Sequence, residues 1–286
     1  MRAKIMLMAA AAAMLAWPAA ATVTGTCAAP SSLTRLDAPL PHTAARLAAN
    51  QPVTIIAIGS SSTAGAGASS PSKAYPSRLM IALTARFPDA KIRVLNRGIN
   101  GEIERQMEAR FEHDVLLQHP DLVIWQVGTN SVLRDTDITA YRPALAHGID
   151  KLKASGADVL IMDLQYAPKV LLHRGYEDML RKISTAARDE NVAIFHRFAI
   201  MQYWASSGEY DTASMLSPDQ LHMNDLSYGC IANLMADAIT DAVQSPPAAG
   251  TLASAPAGGP IGAGAKRHAI DVIPVKTAGE AVPAKK

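Results

Sequence analysis

The chain has 286 residues, 49% of them apolar, which suffices for a sizeable core and leaves room for one domain or two. Its 27 Lys and Arg against 25 Asp and Glu give a formal charge of +2, and the basic residues are scattered along the sequence. Nothing in that pattern offers a basic stripe to nucleic acid, so partners of that class are not expected.

At the N-terminus, Arg2 and Lys4 precede an uncharged run over residues 5–15, and Ala19, Ala20 and Ala21 place small side chains ahead of Thr22. That pattern predicts a cleaved signal peptide over 1–21 and export to the periplasm or beyond. The run is shorter than the roughly 20 apolar residues that cross a bilayer, so no stable membrane span is expected after cleavage, an uncleaved anchor being the alternative. Residues 22–36 read as a lead-in segment. Within it, Cys27 follows Thr24-Gly25-Thr26 instead of the Leu-Ala-Gly triplet of a lipidated terminus, and Cys230 is the only other thiol. In an oxidising compartment these two either pair or remain free, and spacing does not choose between the outcomes.

Residues 37–244 alternate short apolar runs with longer segments of helical period, the signal for a parallel sheet covered by helices. Strands are expected at 53–58, 92–96, 122–127, 159–163 and 192–195, and helices at 75–86, 101–117, 138–154, 176–189 and 228–243. The class is α/β, a three-layer α/β/α sandwich on a five-stranded parallel sheet, in one domain. Residues 245–286 are rich in Ala, Gly and Pro and carry Lys266, Arg267, Lys276, Lys285 and Lys286. They hold too few large apolar groups to offset the entropy of ordering and read as a disordered tail.

In open sheets of this kind ligands gather at the carboxyl ends of the strands. The first three expected strands run into small polar loops: Gly59-Ser60-Ser61-Ser62-Thr63-Ala64-Gly65, then Asn96-Arg97-Gly98-Ile99-Asn100-Gly101, then Gly128-Thr129-Asn130-Ser131. Together with Asp219-Gln220-Leu221-His222, these segments resemble the four signature blocks of the SGNH (GDSL-type) hydrolase family, in the family's order. The resemblance implies a flavodoxin-like sheet and a serine ester hydrolase with Ser61 as nucleophile and Asp219 and His222 as its partners. It implies an oxyanion hole from the Ser61 and Gly98 backbone N–H groups and the Asn130 side chain. Two positions depart from the pattern: Ser60 and Ser131 stand where the family usually has Asp, which puts the support of both loops in question but not the triad.

The chemistry suits these residue types. A serine hydroxyl needs a neighbouring base to take its proton, imidazole can take and return it near neutrality, and a carboxylate can fix the tautomer and steady the imidazolium. Each residue also has a plainer role open to it: helix capping for Ser61, a turn for Asp219 and Asn130, the surface for His222. Asp163, Gln165 and Tyr166, beyond the fourth strand, either line the substrate cleft or are loop polarity with an aromatic packed beneath. Met201, Tyr203 and Trp204 offer either an apolar, sugar-stacking wall or core packing. His113, His119, His147, His173 and His196 lack metal-ligand spacing, so neither metal nor organic cofactor is expected. No Gly-x-Ser-x-Gly elbow, Gly-x-Gly-x-x-Gly fingerprint or Gly-Lys-Ser/Thr ending appears.

The expected function is an exported serine esterase acting on short-chain or O-acetyl carbohydrate esters. An O-acyltransferase using the same triad, or an inactive polysaccharide-binding module, are the rivals.

Overall fold

The computed structural model describes residues 27–208 and 210–244, so the signal peptide and tail expected over 1–21 and 245–286 lie outside the described residues. Five strands form one parallel sheet in the order β2-β1-β3-β4-β5. They are β1 Val53–Gly59, β2 Ile92–Gly98, β3 Leu122–Gln126, β4 Asp158–Met162 and β5 Ala193–Phe195. All five expected strands are present, with small shifts at their ends. Every residue of β1 and β3 is buried, as continuous apolar runs covered on both faces should be.

The helices in chain order are α1 Ser31–Thr34, α2 Pro41–Ala48, α3 Ser61–Ala64, α4 Tyr75–Arg86, α5 Glu104–Glu108, α6 Phe111–Asp114 and α7 Thr129–Leu133. There follow α8 Tyr141–Lys153, α9 Pro168–Leu171, α10 Tyr176–Asp189, α11 Arg197–Ser207, α12 Thr212–Met215 and α13 Asp225–Gln244. Parallel strands are joined by right-handed crossovers. The step from β1 to β2 runs one way along the sheet and the steps β3 to β4 to β5 run the other, which puts α4 on one face and α8 and α10 on the opposite one. Accordingly α4 packs with α13, and α8 with α10. The buried residues Met179, Ile183, Ala186 and Ala187 of α10 recur at helical spacing, so one stripe of an otherwise polar helix covers the sheet.

The single helix expected over 101–117 is corrected to two short helices and a 3-10 turn at Leu116–Gln118. Arg110 stands at the break. Its guanidinium donates to Glu102, to Asp114 and to the Arg97 carbonyl, which ties this stretch to the end of β2. On either side, the Met107 sulfur accepts from Trp125 Nε1 at 3.3 Å and the Phe111 ring meets Trp125 edge-on at 4.9 Å. Bending between them lets both side chains reach the same indole.

The described part of the lead-in packs against the core through Cys27, Ala29 and Leu33. Cys27 is disulfide-bonded to Cys230 of α13, with Cα atoms 5.2 Å apart across a sequence separation of 203 residues, and Trp204 Nε1 donates to the Ala28 carbonyl. Of the two outcomes left open for the cysteines, pairing is the one found. Closing so long a loop restricts the unfolded chain, worth about 5 kcal/mol in the chain-entropy account. A Cys27→Ala/Cys230→Ala variant is expected to melt about 10 °C or more below the wild type in a calorimetric scan; equal melting temperatures would contradict this.

Candidate active site

β1 ends at Gly59, and the chain turns through Ser60 into α3, whose first residue is Ser61. Gln126 closes the apolar strand β3 and is buried, so its amide needs partners. Its Oε1 accepts from the Ser60 N–H at 2.8 Å and the Ser60 hydroxyl at 3.1 Å. The residue standing in the family's Asp position is therefore fastened to the neighbouring strand.

Residues 216–223 form a tight loop. Leu216 and Met223 make an antiparallel bridge, the Ser217 N–H donates to the His222 carbonyl at 2.8 Å, and Gln220 adopts a left-handed φ of +58°. Asp219 Oδ1 accepts from the Ser217 hydroxyl at 2.7 Å and from the N–H groups of Leu221 and His222 at 3.0 and 2.9 Å. Asp219 Oδ2 lies 2.5 Å from His222 Nδ1, and His222 Nε2 lies 2.8 Å from Ser61 Oγ. Hydroxyl, imidazole and carboxylate thus form one chain of hydrogen bonds.

Partial burial alone would raise the Asp219 pKa. Bonds from the His222 ring and N–H, the Ser217 hydroxyl and the Leu221 N–H outweigh it and hold the carboxyl well below its usual range. Its side chain is 42% exposed, so the pair is screened, and its worth lies in orientation more than in stability.

What joins the two ends of this site is a seam between residues 65–69 and the start of α13. A Cβ on Gly67 would stand 2.3 Å from the Met223 carbonyl oxygen and 3.0 Å from His222 Cβ, and the backbone there has φ +88°. The Tyr228 hydroxyl donates to the Ala66 carbonyl at 2.7 Å, and the Ser69 N–H and hydroxyl donate to Asp225 at 2.8 and 2.6 Å.

The expected oxyanion donors stand in different states. Among the described residues the Ser61 N–H has no acceptor. Asn130 Nδ2 donates to the Glu102 carbonyl at 2.8 Å, which uses one of its two hydrogens. The Gly98 N–H is taken by Asn96 Oδ1 at 2.9 Å, and a Cβ on Gly98 would sit 2.1 Å from the Ala64 nitrogen. Gly98 thus allows α3 to pack onto β2, a different service from donating to an anion. Ser131, the other departure from the family pattern, donates its hydroxyl to Glu104 at 2.6 Å, and the same carboxylate accepts the Gly128 N–H. An Asp at 131 would face a like charge.

The residues beyond β4 separate. Gln165 is buried, with Oε1 accepting from Thr129 at 3.0 Å and Nε2 reaching the Leu221 carbonyl at 3.5 Å, so it braces the loop before His222 and does not line a cleft. Asp163 is buried and accepts the Phe198 N–H at 2.9 Å; it borders a cavity of about 380 Å³ with Tyr176 and His196 that includes neither Ser61 nor His222. Tyr166 is half-buried and meets Phe198 edge-on. Met201 and Trp204 are buried on α11 and belong to the core, so they form no sugar-stacking wall. The histidines at 113, 147, 173 and 196 each face a carboxylate, of Asp114, Glu108, Asp135 and Asp163 in turn. Sequence reasoning passed over Gln126 and Glu104, although a polar residue closing an apolar strand was a visible sign for the first.

Residues 26–245 match the Non-GDSL lipase-like family. The chain belongs to that family. The SGNH resemblance therefore holds, with a first loop that reads Gly59-Ser60-Ser61 where the GDSL pattern has Gly-Asp-Ser. In sequence the chain is 45% identical over 56 residues to an acetylxylan esterase of Geobacillus stearothermophilus, a stretch covering 20% of this chain and 26% of that protein. In structure it is similar to a two-domain esterase active on acetylated mannans, crystallised with mannopentaose, with a TM-score of 0.63 at 20% identity. That match covers 74% of this chain and 56% of the other, so the chain spans little more than half of that esterase. It is also similar to Axe2, an acetylxylan esterase from the same Geobacillus, with a TM-score of 0.54, 23% identity and coverage of 65% and 94%. Alanine variants of Axe2 at a serine and at a histidine are described as catalytic mutants. At these identities the structural matches establish the shared fold.

Gly67→Ala is expected to lower stability by roughly 1–3 kcal/mol, since the new methyl group meets backbone in a left-handed conformation. It should also shift the His222 imidazole resonances in NMR spectra; unchanged resonances would show that the seam does not position the histidine.

Proposed function

We propose that the protein is an exported serine esterase that removes acetyl groups from carbohydrate, with Ser61 as nucleophile, His222 as general base and acid, and Asp219 as the group that orients the imidazole. The observation that carries this reading is the continuous run from Ser61 Oγ through His222 to Asp219, at 2.8 and 2.5 Å. With His222 Nδ1–H donating to an ionised Asp219, Nε2 is left bare to accept the Ser61 proton.

The steps follow from that geometry. Ser61 Oγ attacks the ester carbon as its proton passes to Nε2, and the former carbonyl oxygen becomes an oxyanion. Collapse expels the sugar oxygen, which takes the proton from Nε2 and leaves acetyl-Ser61. Water then attacks the acetyl group, giving its proton to the same nitrogen; as the acyl carbon–Oγ bond breaks, Nε2 returns the proton to Ser61 Oγ and acetic acid leaves, ionising to acetate in water. The oxyanion is met by the Ser61 N–H and the second hydrogen of the Asn130 amide. The Gly98 N–H already has a partner in Asn96 Oδ1, so it adds no third donor.

Acetylated carbohydrate is supported by the activities of the similar esterases on acetylated xylan and mannan. Export is supported by the Cys27–Cys230 disulfide, which persists where thiols are oxidised. Among the described residues no helix is long and apolar enough to cross a membrane.

Purified protein should release acetate from acetylated xylo- and manno-oligosaccharides and hydrolyse 4-nitrophenyl acetate. Ser61→Ala should abolish both with folding intact, Asp219→Asn should lower kcat on the order of 10⁴-fold, and Asn130→Ala on the order of 10²-fold. An active Ser61→Ala variant would refute the assignment, and transfer of acetyl to a sugar hydroxyl in preference to water would make it a transferase.

A further inference from the structure

Arg197 opens α11 and is completely buried. Its Nη1 donates to Ser62 Oγ at 2.9 Å and its Nη2 to the Asp163 backbone carbonyl at 2.6 Å. The guanidinium forms no ion pair among the described residues, and its Nε has no partner. Burial lowers its pKa to about 10, with the charges of Asp163, Tyr228 and Tyr75 opposing the shift, so it stays charged at neutral pH.

A buried cation without a paired carboxylate carries a heavy desolvation penalty, and an apolar side chain would fill the same space at less cost. What an apolar side chain lacks is the rigid fork of donors. Here the fork bridges two elements, one tine on the nucleophile turn and the other just past the end of β4. The consequence concerns Ser61 directly. Its neighbour on one side, Ser60, is bonded to Gln126 from β3, and its neighbour on the other, Ser62, is bonded to Arg197.

Resting on the reading of Ser61 as nucleophile, we propose that Arg197 is a positioning residue: through the Ser62 hydroxyl it holds the nucleophile turn so that Ser61 Oγ stays within reach of His222 Nε2. It does not touch substrate. Cutting this link lets the turn shift while the substrate still binds, so the loss appears in kcat and leaves KM unchanged.

The test compares wild type, Ser62→Ala, Arg197→Lys and the double variant in steady-state hydrolysis of 4-nitrophenyl acetate, with near-UV circular dichroism and melting curves to confirm folding. Lysine keeps the charge but cannot span both acceptors. Each single variant should lose about tenfold in kcat at constant KM, and the double variant should lose no more than the worse single, where independent effects would multiply to about a hundredfold. A folded Ser62→Ala variant with wild-type kcat, a loss confined to KM, or multiplied losses in the double variant would each overturn the proposal. If Arg197→Lys fails to fold, Ser62→Ala decides alone, because it leaves the arginine in place. An inactive wild type, or activity surviving Ser61→Ala, would instead sink the nucleophile assignment on which this rests.

Discussion

Ser61 and His222 are separated by 161 residues, and their meeting rests on a close backbone approach of the loop after α3 to the turn that carries the histidine. Gly67 makes the approach possible, since any side chain there would collide with the Met223 carbonyl. Tyr228 and Asp225 then fasten the same loop to α13 by hydrogen bonds to Ala66 and Ser69. The Cys27–Cys230 bond anchors α13 from its other flank and limits how far that helix can drift. Ser61, two residues past the end of β1, draws rigidity from the sheet; a histidine on a loop is only as well placed as the surfaces that trap it.

The polar loops at the carboxyl edge pose a second problem, because the groups they bury must each find a partner. Buried or half-buried side chains answer it loop by loop. Gln126 serves the first loop, Glu104 the third, and Arg110 joins the second to the helix that follows it. This accounts for the two departures from the family pattern. Serine at 60 is a donor well matched to the Gln126 carbonyl, and serine at 131 is a donor well matched to the Glu104 carboxylate, where an aspartate would repel it. Both serines are thus held within their loops, beside the hydrogen-bonded run of Ser61, His222 and Asp219.

The same demand explains why some residues at this edge serve the scaffold and not a cleft. Gln165 looked available for substrate because it follows a strand end, yet its amide links Thr129 to the Leu221 carbonyl. Asp163 has its carboxylate on the Phe198 N–H and its carbonyl on Arg197. Met201 and Trp204, at helical spacing on α11, face inward.

By itself the sequence determined the alternation of elements, the sheet of five strands and the three Gly-containing loops, and it singled out Ser61, Asp219 and His222 as candidates. These are local matters: burial on both faces demands continuous apolar runs, and tight turns demand small residues. It could not decide whether Cys27 meets Cys230, that the segment after β2 bends at Arg110, or that Gly98 gives its N–H to Asn96. Nor did it reveal that Gln126, Glu104 and Arg197 hydrogen-bond to Ser60, Ser131 and Ser62. Those outcomes depend on which side chains arrive from distant strands and helices, since a buried donor or acceptor is satisfied by whatever the packed fold places beside it.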